Sequence, residues 1–220
     1  MSDTERLGHK RPARQSDLAT LPSGSDDATG VLRIDADVHQ GVDPAFWQRV
    51  PQPWRSMRPG SAVAWPASAL GHTGYRSDVH TVDGQFHDRT AQDVIDRLVE
   101  PYGVDFAILT GNAGLLGAAA HPNPHFGINF AQAYNDWLIE EWLSHDSRLK
   151  GSMMVSQRDA GAAVREVARV GSHPDIVQVL LPANSDKLYG DRAFWPLYEA
   201  AAALGLPVAI HPSGFTLTPP

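Results

Sequence analysis

From Val31 onward, short apolar runs alternate with longer stretches in which apolar residues recur every three or four positions. Runs of the first kind predict buried strands, and stretches of the second kind predict helices that pack one face against a sheet. Their alternation is typical of βαβ units and therefore predicts a parallel sheet. The predicted strands are residues 31–39, 104–110, 149–156, 176–182 and 207–211.

The segments between these strands carry helix signals. Thr90 and Asp93 have the spacing of a capping box, and the helix that they begin is expected to stop at Pro101. An aromatic stripe, which we expect to lie in the core or at a subunit interface, marks the next helix. The stripe consists of Phe130, Tyr134, Trp137, Leu138 and Trp142, and two further helices are predicted over residues 160–168 and 196–205.

Two stretches interrupt this pattern. Residues 1–30 are rich in Ser, Asp, Thr, Gly and Pro and have no periodicity, which predicts a disordered tail. Residues 40–89 contain five prolines and no sustained helical or strand period, and loops of this length are usually functional. We therefore predict a partial domain over residues 31–220, in which residues 40–89 form a cap insertion over the C-terminal end of the sheet.

Successive right-handed βαβ units build either an open doubly wound sheet or a closed (β/α)8 barrel. A barrel takes eight units and roughly 250 residues, whereas five strands are predicted here. An open sheet would need a helix after the fifth strand, and none is predicted. We therefore expect an α/β fold of the (β/α)8 TIM-barrel type, truncated after about the fifth strand, with the cap insertion after strand 1.

Composition narrows the classes of partner. With 18 basic residues, 25 acidic residues and a net charge of −7, the chain does not favour binding to nucleic acid or to an anionic membrane. It shows no signal-peptide pattern and no apolar run long enough for a membrane span. Cysteine is absent, which excludes disulfides and thiolate metal sites and fits a cytoplasmic location. The expected partners are a small-molecule substrate and further copies of this chain.

The candidate chemistry begins on the first predicted strand. Asp35, Asp37 and His39 occupy alternate positions there, which places them on one face of a regular strand. A buried carboxylate is costly unless it is paired or bound to a cation. His211 ends the fifth predicted strand, which faces the first across a barrel. We therefore predict that Asp37, His39 and His211 bind one divalent metal ion, the alternative being a structural hydrogen-bonded pair of Asp37 and His39.

Other polar residues receive more modest expectations. Asp35 lies deeper in the strand, and we expect it to bond to neighbouring backbone or to a hydroxyl rather than to metal. Arg55 and Arg58 in the cap are candidates to contact a substrate carboxylate, although loop arginines are usually solvated. Surface, cap-packing or ordinary loop roles are expected for the remaining histidines of interest, which are His72, His80, His87, His121 and His125.

Five segments together resemble a known family: IDADVH, YGVDFAILT, NDWLIEEWLSHDSRLKGSMMVSQRD, QVLLPA and LYEAAAALGLPVAIHPSG. They are similar to the amidohydrolase superfamily, in the branch that contains aminocarboxymuconate-semialdehyde decarboxylase and related aromatic decarboxylases. In that family the first strand carries His-x-His, or a variant with an acid first, which maps onto Asp37 and His39. The fifth-strand histidine maps onto His211. A further histidine and a catalytic, proton-exchanging aspartate are implied beyond Pro220.

Two reactions fit such a site. A divalent ion can act as a Lewis acid on a substrate oxygen, which suits decarboxylation, or lower the pKa of bound water to roughly 7, which suits hydrolysis. The sequence thus predicts a metal-dependent amidohydrolase-like enzyme that hydrolyses or decarboxylates a small carboxylate, aromatic or not. Zinc is the first expectation for the metal, with manganese and iron as alternatives. A non-catalytic binding module built on an incomplete barrel is the competing hypothesis.

Overall fold

The computed structural model describes residues 30–42, 44–57, 89–111, 113–183 and 185–212. All five predicted strands are present, with ends that differ from the prediction by up to three residues. The pairing is parallel throughout, in the order β1-β2-β3-β4-β5. The strands are β1 (Ile34–Val38), β2 (Phe106–Leu109), β3 (Leu149–Met154), β4 (Ile176–Pro182) and β5 (Val208–His211).

The sheet is strongly curled. Four spacings of about 4.8 Å would separate the first and fifth strands of a flat sheet by roughly 19 Å. Yet Nε2 of His39, directly after β1, lies 3.0 Å from Nε2 of His211 on β5. The two outer strands therefore face each other, and the sheet forms a half-barrel. This confirms the predicted barrel-type α/β fold.

Helices cover the convex face of the sheet. The helix α1 (Ala91–Val94) continues as a π-helical segment, Ile95–Val99, and a last turn, Glu100–Tyr102. The other helices are α2 (Ala113–Ala119), α3 (Pro124–Trp137) with a π-helical continuation Leu138–Leu143, α4 (Ala160–Val170) and α5 (Trp195–Ala203). Among the described residues, none of the helices has the length and apolar character needed to cross a membrane.

The capping signals were interpreted correctly at one end of α1 and wrongly at the other. Thr90 and Asp93 do form a capping box. The predicted stop at Pro101 is wrong, because the helix accommodates this proline in the turn after its π-helical segment. It ends two residues later at Gly103, whose φ of +60° is the left-handed conformation that terminates a helix.

The aromatic stripe lies in the core, which was one of the two locations predicted for it, the other being a subunit interface. Phe130, Tyr134, Trp137, Leu138 and Trp142 are all buried against the sheet and against each other. Their helix begins at Pro124, ahead of the stripe, and Oδ1 of Asn123 accepts hydrogen bonds from its first backbone N–H groups.

The described part of the cap insertion consists of two 3-10 helices, Pro44–Gln48 and Trp54–Met57. Phe46 is buried against Phe130 and Trp137, so this part packs alongside α3. Residues 58–88 lie outside the described residues, as do residues 1–29 of the tail predicted over residues 1–30. A cap over the C-terminal end of the sheet therefore stays a prediction.

Candidate metal centre

Three side chains converge at the C-terminal ends of β1 and β5. Nε2 of His39 lies 3.0 Å from Nε2 of His211 and 3.2 Å from Oδ1 of Asp37. Oδ1 of Asp37 lies 3.1 Å from Nε2 of His211, which closes an almost equilateral triangle. Within the described part of the chain, these three residues form the group whose ligand atoms approach closely enough to share one metal ion.

Hydrogen bonding alone does not satisfy this triangle. The carboxylate oxygen can only accept, and each neutral imidazole offers Nε2 either as a donor or as an acceptor. If both imidazoles donate to Asp37, their two N–H groups face each other at the histidine–histidine edge. If one donates to the other, neither contact to the carboxylate has a proton of its own, because the donor has used its N–H and the acceptor nitrogen carries none. A cation placed among the three atoms uses a lone pair from each of them.

The separations also fit metal coordination. Ligand atoms about 2.1 Å from an ion lie roughly 3.0 Å apart at neighbouring octahedral positions and roughly 3.4 Å apart in a tetrahedron. The observed edges of 3.0, 3.1 and 3.2 Å span the lower part of this range. The residues present therefore suit one face of a divalent-metal site.

Exposure of the site differs from the sequence-based expectation. We expected the carboxylate on β1 to be buried, but the side chain of Asp37 is 58% exposed, and those of His39 and His211 are 39% and 14% exposed. The reason is that these groups lie on the concave face of the half-barrel, which the described residues leave open. The case for a metal thus rests on the convergence of three ligand atoms rather than on the cost of a buried charge.

Regular alternation along β1 is interrupted. Asp35 is paired with Ala107, whereas Val38 is paired with Leu109, so three residue steps on β1 correspond to two on β2. Since Ala107 and Leu109 share one buried face of β2, Asp35 is registered with the face of Val38. The prediction that Asp35 shares a face with Asp37 is therefore wrong. Its expected bond to neighbouring backbone is confirmed, because its Oδ1 accepts from the N–H of Asp37 at 3.1 Å.

Two buried polar residues beside the ligands were missed by the sequence analysis. Thr110, which follows β2, donates its hydroxyl to Oδ1 of Asp37 at 2.9 Å. Gln40, next to His39, accepts from the N–H of Gly111 at 2.6 Å and donates to the hydroxyl of Tyr134 at 3.1 Å. The available signal was position, because both residues lie within two positions of the C-terminal end of an apolar strand, where such folds place their active sites.

Of the two cap arginines predicted to contact a substrate carboxylate, the structure describes Arg55. The guanidinium of Arg55 donates to the carbonyl of Val50 at 2.9 Å and to the carbonyl of Gln48, so it is engaged with its own loop. Contact between Arg55 and a substrate stays a prediction, and Arg58 lies outside the described residues.

Of the other candidate histidines, the two that the structure describes lie outside the triangle. His72, His80 and His87 lie outside the described residues. Nδ1 of His121 accepts from the N–H of Asn123 at 3.0 Å, and burial lowers the pKa of His121 below its ordinary value. The ring of His125 stacks on Trp54 with 6.1 Å between centroids. His121 therefore has the ordinary loop contact that we expected, whereas His125 has a packing contact and lies in the first turn of α3 rather than in a loop.

Comparison of the sequence with known proteins identifies the family to which this chain is similar. A family model described as amidohydrolase matches residues 34–220. The gamma-resorcylate decarboxylase of Polaromonas sp. is 30% identical over 128 residues, which make up 55% of this chain and 39% of that protein.

Solved structures share the fold. The 2,6-dihydroxybenzoate decarboxylase from Rhizobium matches with a TM-score of 0.55 at 21% identity, covering 82% of this chain and 50% of that one. The 5-carboxyvanillate decarboxylase from Novosphingobium aromaticivorans, solved with manganese and a nitrobenzoic acid, matches with a TM-score of 0.57 at 18% identity, covering 84% and 51%. The chain thus spans about half the length of these structures and less of the Polaromonas protein.

Proposed function

Because the chain belongs to the amidohydrolase family, we propose that the protein is a divalent-metal-dependent decarboxylase of a small aromatic carboxylate. The observation that carries this proposal is the triangle of Asp37, His39 and His211, with edges of 3.0 to 3.2 Å. The named activity of the Polaromonas relative supports decarboxylation over hydrolysis. The same likeness does not favour the non-catalytic alternative.

The ligand set defines the charge of the site. Two neutral imidazoles and one carboxylate contribute a single negative charge, so a divalent ion held by them leaves one positive charge on the complex. Such a site favours binding of an anionic substrate at the open, concave face. When bound, the ion supplies Lewis acidity to a substrate oxygen.

Each ligand residue has a separate task. Asp37 provides the charge, and His39 fixes one edge of the triangle from the same strand. His211 brings the third atom from β5, 172 residues further along the chain. The edge lengths of 3.0 to 3.2 Å are compatible with octahedral spacing, and we propose manganese in place of the zinc expected from sequence. The manganese-bound 5-carboxyvanillate decarboxylase is consistent with this choice.

Metal analysis of the full chain tests the ligand assignment. Wild type, His211→Ala and His145→Ala are incubated with Mn²⁺, desalted and assayed for metal content. His145 is a matched control because it is exposed and lies outside the triangle, 3.2 Å from Oε1 of Gln92. We expect about one ion per chain in wild type and His145→Ala and a loss of at least about 10-fold in His211→Ala. Equal metal content in wild type and His211→Ala would refute the ligand set.

The reaction is tested separately. Release of CO₂ from 2,6-dihydroxybenzoate and related hydroxybenzoates is followed in the metal-loaded protein, alongside hydrolysis of aryl amides and esters. Manganese-dependent CO₂ release supports the proposal. Metal-dependent hydrolysis without CO₂ release would leave the metal site in place and overturn the assigned reaction.

A further inference from the structure

The backbone of β1 departs from regular pairing where the metal ligands begin. The register shift falls between Asp35 and Val38 and so includes Asp37. On the far side of the shift, pairing resumes as the N–H of Thr110 donates to the carbonyl of Val38 at 2.9 Å. Irregularities of this kind re-aim side chains and are frequent beside active sites. Here the shift spans Asp37 and so changes the direction in which the Asp37 side chain leaves the strand.

A carboxylate holds the shifted backbone in place. Oδ1 of Asp35 accepts the N–H of Asp37 at 3.1 Å, a bond between residues two apart in sequence. Asp and Asn side chains form such local bonds to backbone two residues on, and these bonds offer an alternative to ladder pairing. Asp35 therefore provides an acceptor for the N–H of Asp37 within the register shift.

The side chain of Asp37 is restrained from the neighbouring strand. Thr110 is 3% exposed, and its hydroxyl lies 2.9 Å from Oδ1 of Asp37 and 3.3 Å from the carbonyl of Val38. A hydroxyl has one proton to donate, and the shorter contact assigns it to Asp37. Threonine is stiff at χ1, so a buried threonine presents this donor from a fixed point.

The oxygen that Thr110 contacts is the one that faces both histidines. Oδ1 of Asp37 lies 3.2 Å from Nε2 of His39 and 3.1 Å from Nε2 of His211. A carboxylate oxygen has two lone pairs, so one can accept from Thr110 while the other points into the triangle. The side chain of Asp37 is 58% exposed, so burial does little to select one rotamer, and the bond from Thr110 restrains the carboxylate in the orientation that faces the histidines.

We propose that Thr110 and Asp35 are positioning residues for the metal site: Thr110 orients the carboxylate of Asp37 and Asp35 fixes its backbone. The inference rests on the proposed function, because it assigns these two residues a role toward the same ion. Partners that orient ligands in this way typically change metal affinity 10- to 100-fold when removed.

The test is the Mn²⁺ dissociation constant of the full chain, measured from the electron paramagnetic resonance signal of the free ion during titration. Thr110→Val removes the hydroxyl at nearly constant volume, and Thr110→Ser restores it. Ser152→Ala is the matched control, since Ser152 is a buried hydroxyl on β3 that accepts from Gln178 at 2.8 Å. We expect Thr110→Val to bind Mn²⁺ about 10-fold more weakly or worse. Thr110→Ser and Ser152→Ala should stay close to wild type.

Variants of Asp35 test the positioning role independently, because they leave the buried Thr110 unchanged. Asp35→Ala removes the acceptor for the N–H of Asp37 and should also weaken Mn²⁺ binding about 10-fold. Asp35→Asn keeps an acceptor oxygen at the same place and should bind more tightly than Asp35→Ala. Melting temperatures of the metal-free proteins accompany every titration, so that loss of folding is separated from loss of the site.

The outcomes separate the two proposals. Wild-type affinity in both Thr110→Val and Asp35→Ala overturns the positioning role and leaves the metal site standing. A loss in Thr110→Ser as large as in Thr110→Val, with a matching fall in melting temperature, assigns Thr110 to packing and also overturns it. No Mn²⁺ binding by wild type overturns the metal site, and the positioning role falls with it.

Discussion

The buried amide of Asn135 connects helix α3 to strand β3. Its Nδ2 donates to the carbonyl of Met154 at 2.9 Å, and its Oδ1 accepts the N–H of Met154 at 2.8 Å. The amide thereby pairs with the end of β3 as a neighbouring strand would. Nδ2 also donates to Oε1 of Glu166 at 2.6 Å. We predict that Asn135→Ala lowers the free energy of unfolding more than any exposed substitution on this helix.

The magnitude follows from the groups left behind. Glu166 keeps its two hydrogen bonds from Arg169, at 2.7 and 2.9 Å, so the substitution does not isolate its charge. The N–H and the carbonyl of Met154 each lose a partner in a fully buried environment. Leaving such a group unsatisfied costs about 1–3 kcal/mol. The two groups together give about 2–6 kcal/mol, a large part of the roughly 5–15 kcal/mol that stabilises a typical domain.

Urea unfolding followed by tryptophan fluorescence measures this effect. Trp137 and Trp142 are buried on the same helix and its continuation, so their emission reports the loss of packing around Asn135. Asn129→Ala is the matched control, because the amide of Asn129 donates within α3, to the carbonyl of His125 at 2.8 Å. We expect about 1 kcal/mol or less for the control. A loss below about 1 kcal/mol in Asn135→Ala, or equal losses in both variants, would show that this amide does not join helix to sheet.

Two further predictions concern stability. Gly111→Ala should lower the free energy of unfolding in urea by about 1–3 kcal/mol, because φ is +71° and a Cβ would lie 2.9 Å from Cε of Met154. Gly103→Ala should lower it by less, because the nearest atom there is the tip of a flexible arginine side chain. The reverse order of the two losses would contradict this account. The hydrogen bond from the Arg148 side chain holds the pKa of Asp146 below its ordinary value, so its contribution is full above about pH 4 and is lost as the pH falls through the folded-state pKa. Asp146→Asn should therefore be less stable than wild type at pH 7, with a difference that narrows below about pH 4; a difference that stays constant with pH would count against this linkage.

Much of the fold could be predicted because parallel strands buried on both faces leave a clear pattern. The fourth strand, residues 176–182, is an unbroken apolar run apart from Gln178, and its predicted bounds match the structure. Helix α2 was not predicted, since its alanines, leucines and glycines are apolar on every side and have no helical period. The start of α3 was missed although Asn123 and Pro124 are an N-cap and an N1 proline, because the flanking His121 and His125 were assigned to a loop.

The site was predictable to the extent that topology determines it. His39 and His211 are 172 residues apart, but in a barrel-type sheet with strands in sequential order the C-terminal ends of the first and fifth strands face each other. The positions of the two histidines could therefore be predicted from strand order without any side-chain detail. Asp35 was misplaced because one register shift changes which residues share a face, and nothing in the alternating letters of IDADVH marks such a shift. Thr110 and Gln40 are single polar residues, which carry no period at all.

The curl and the candidate metal site depend on each other. The triangle exists only while four strand pairings together bring β1 and β5 to face one another, so an ion that binds there binds the curled sheet and not the unfolded chain. Binding to the native state alone stabilises it by about 2.7 kcal/mol when free ligand is at 100 times its dissociation constant. The proposed ligands on the two outermost strands would thus give a bound ion a structural role in addition to its proposed chemical one. A site built from neighbouring strands would hold an ion equally well without drawing the ends of the sheet together.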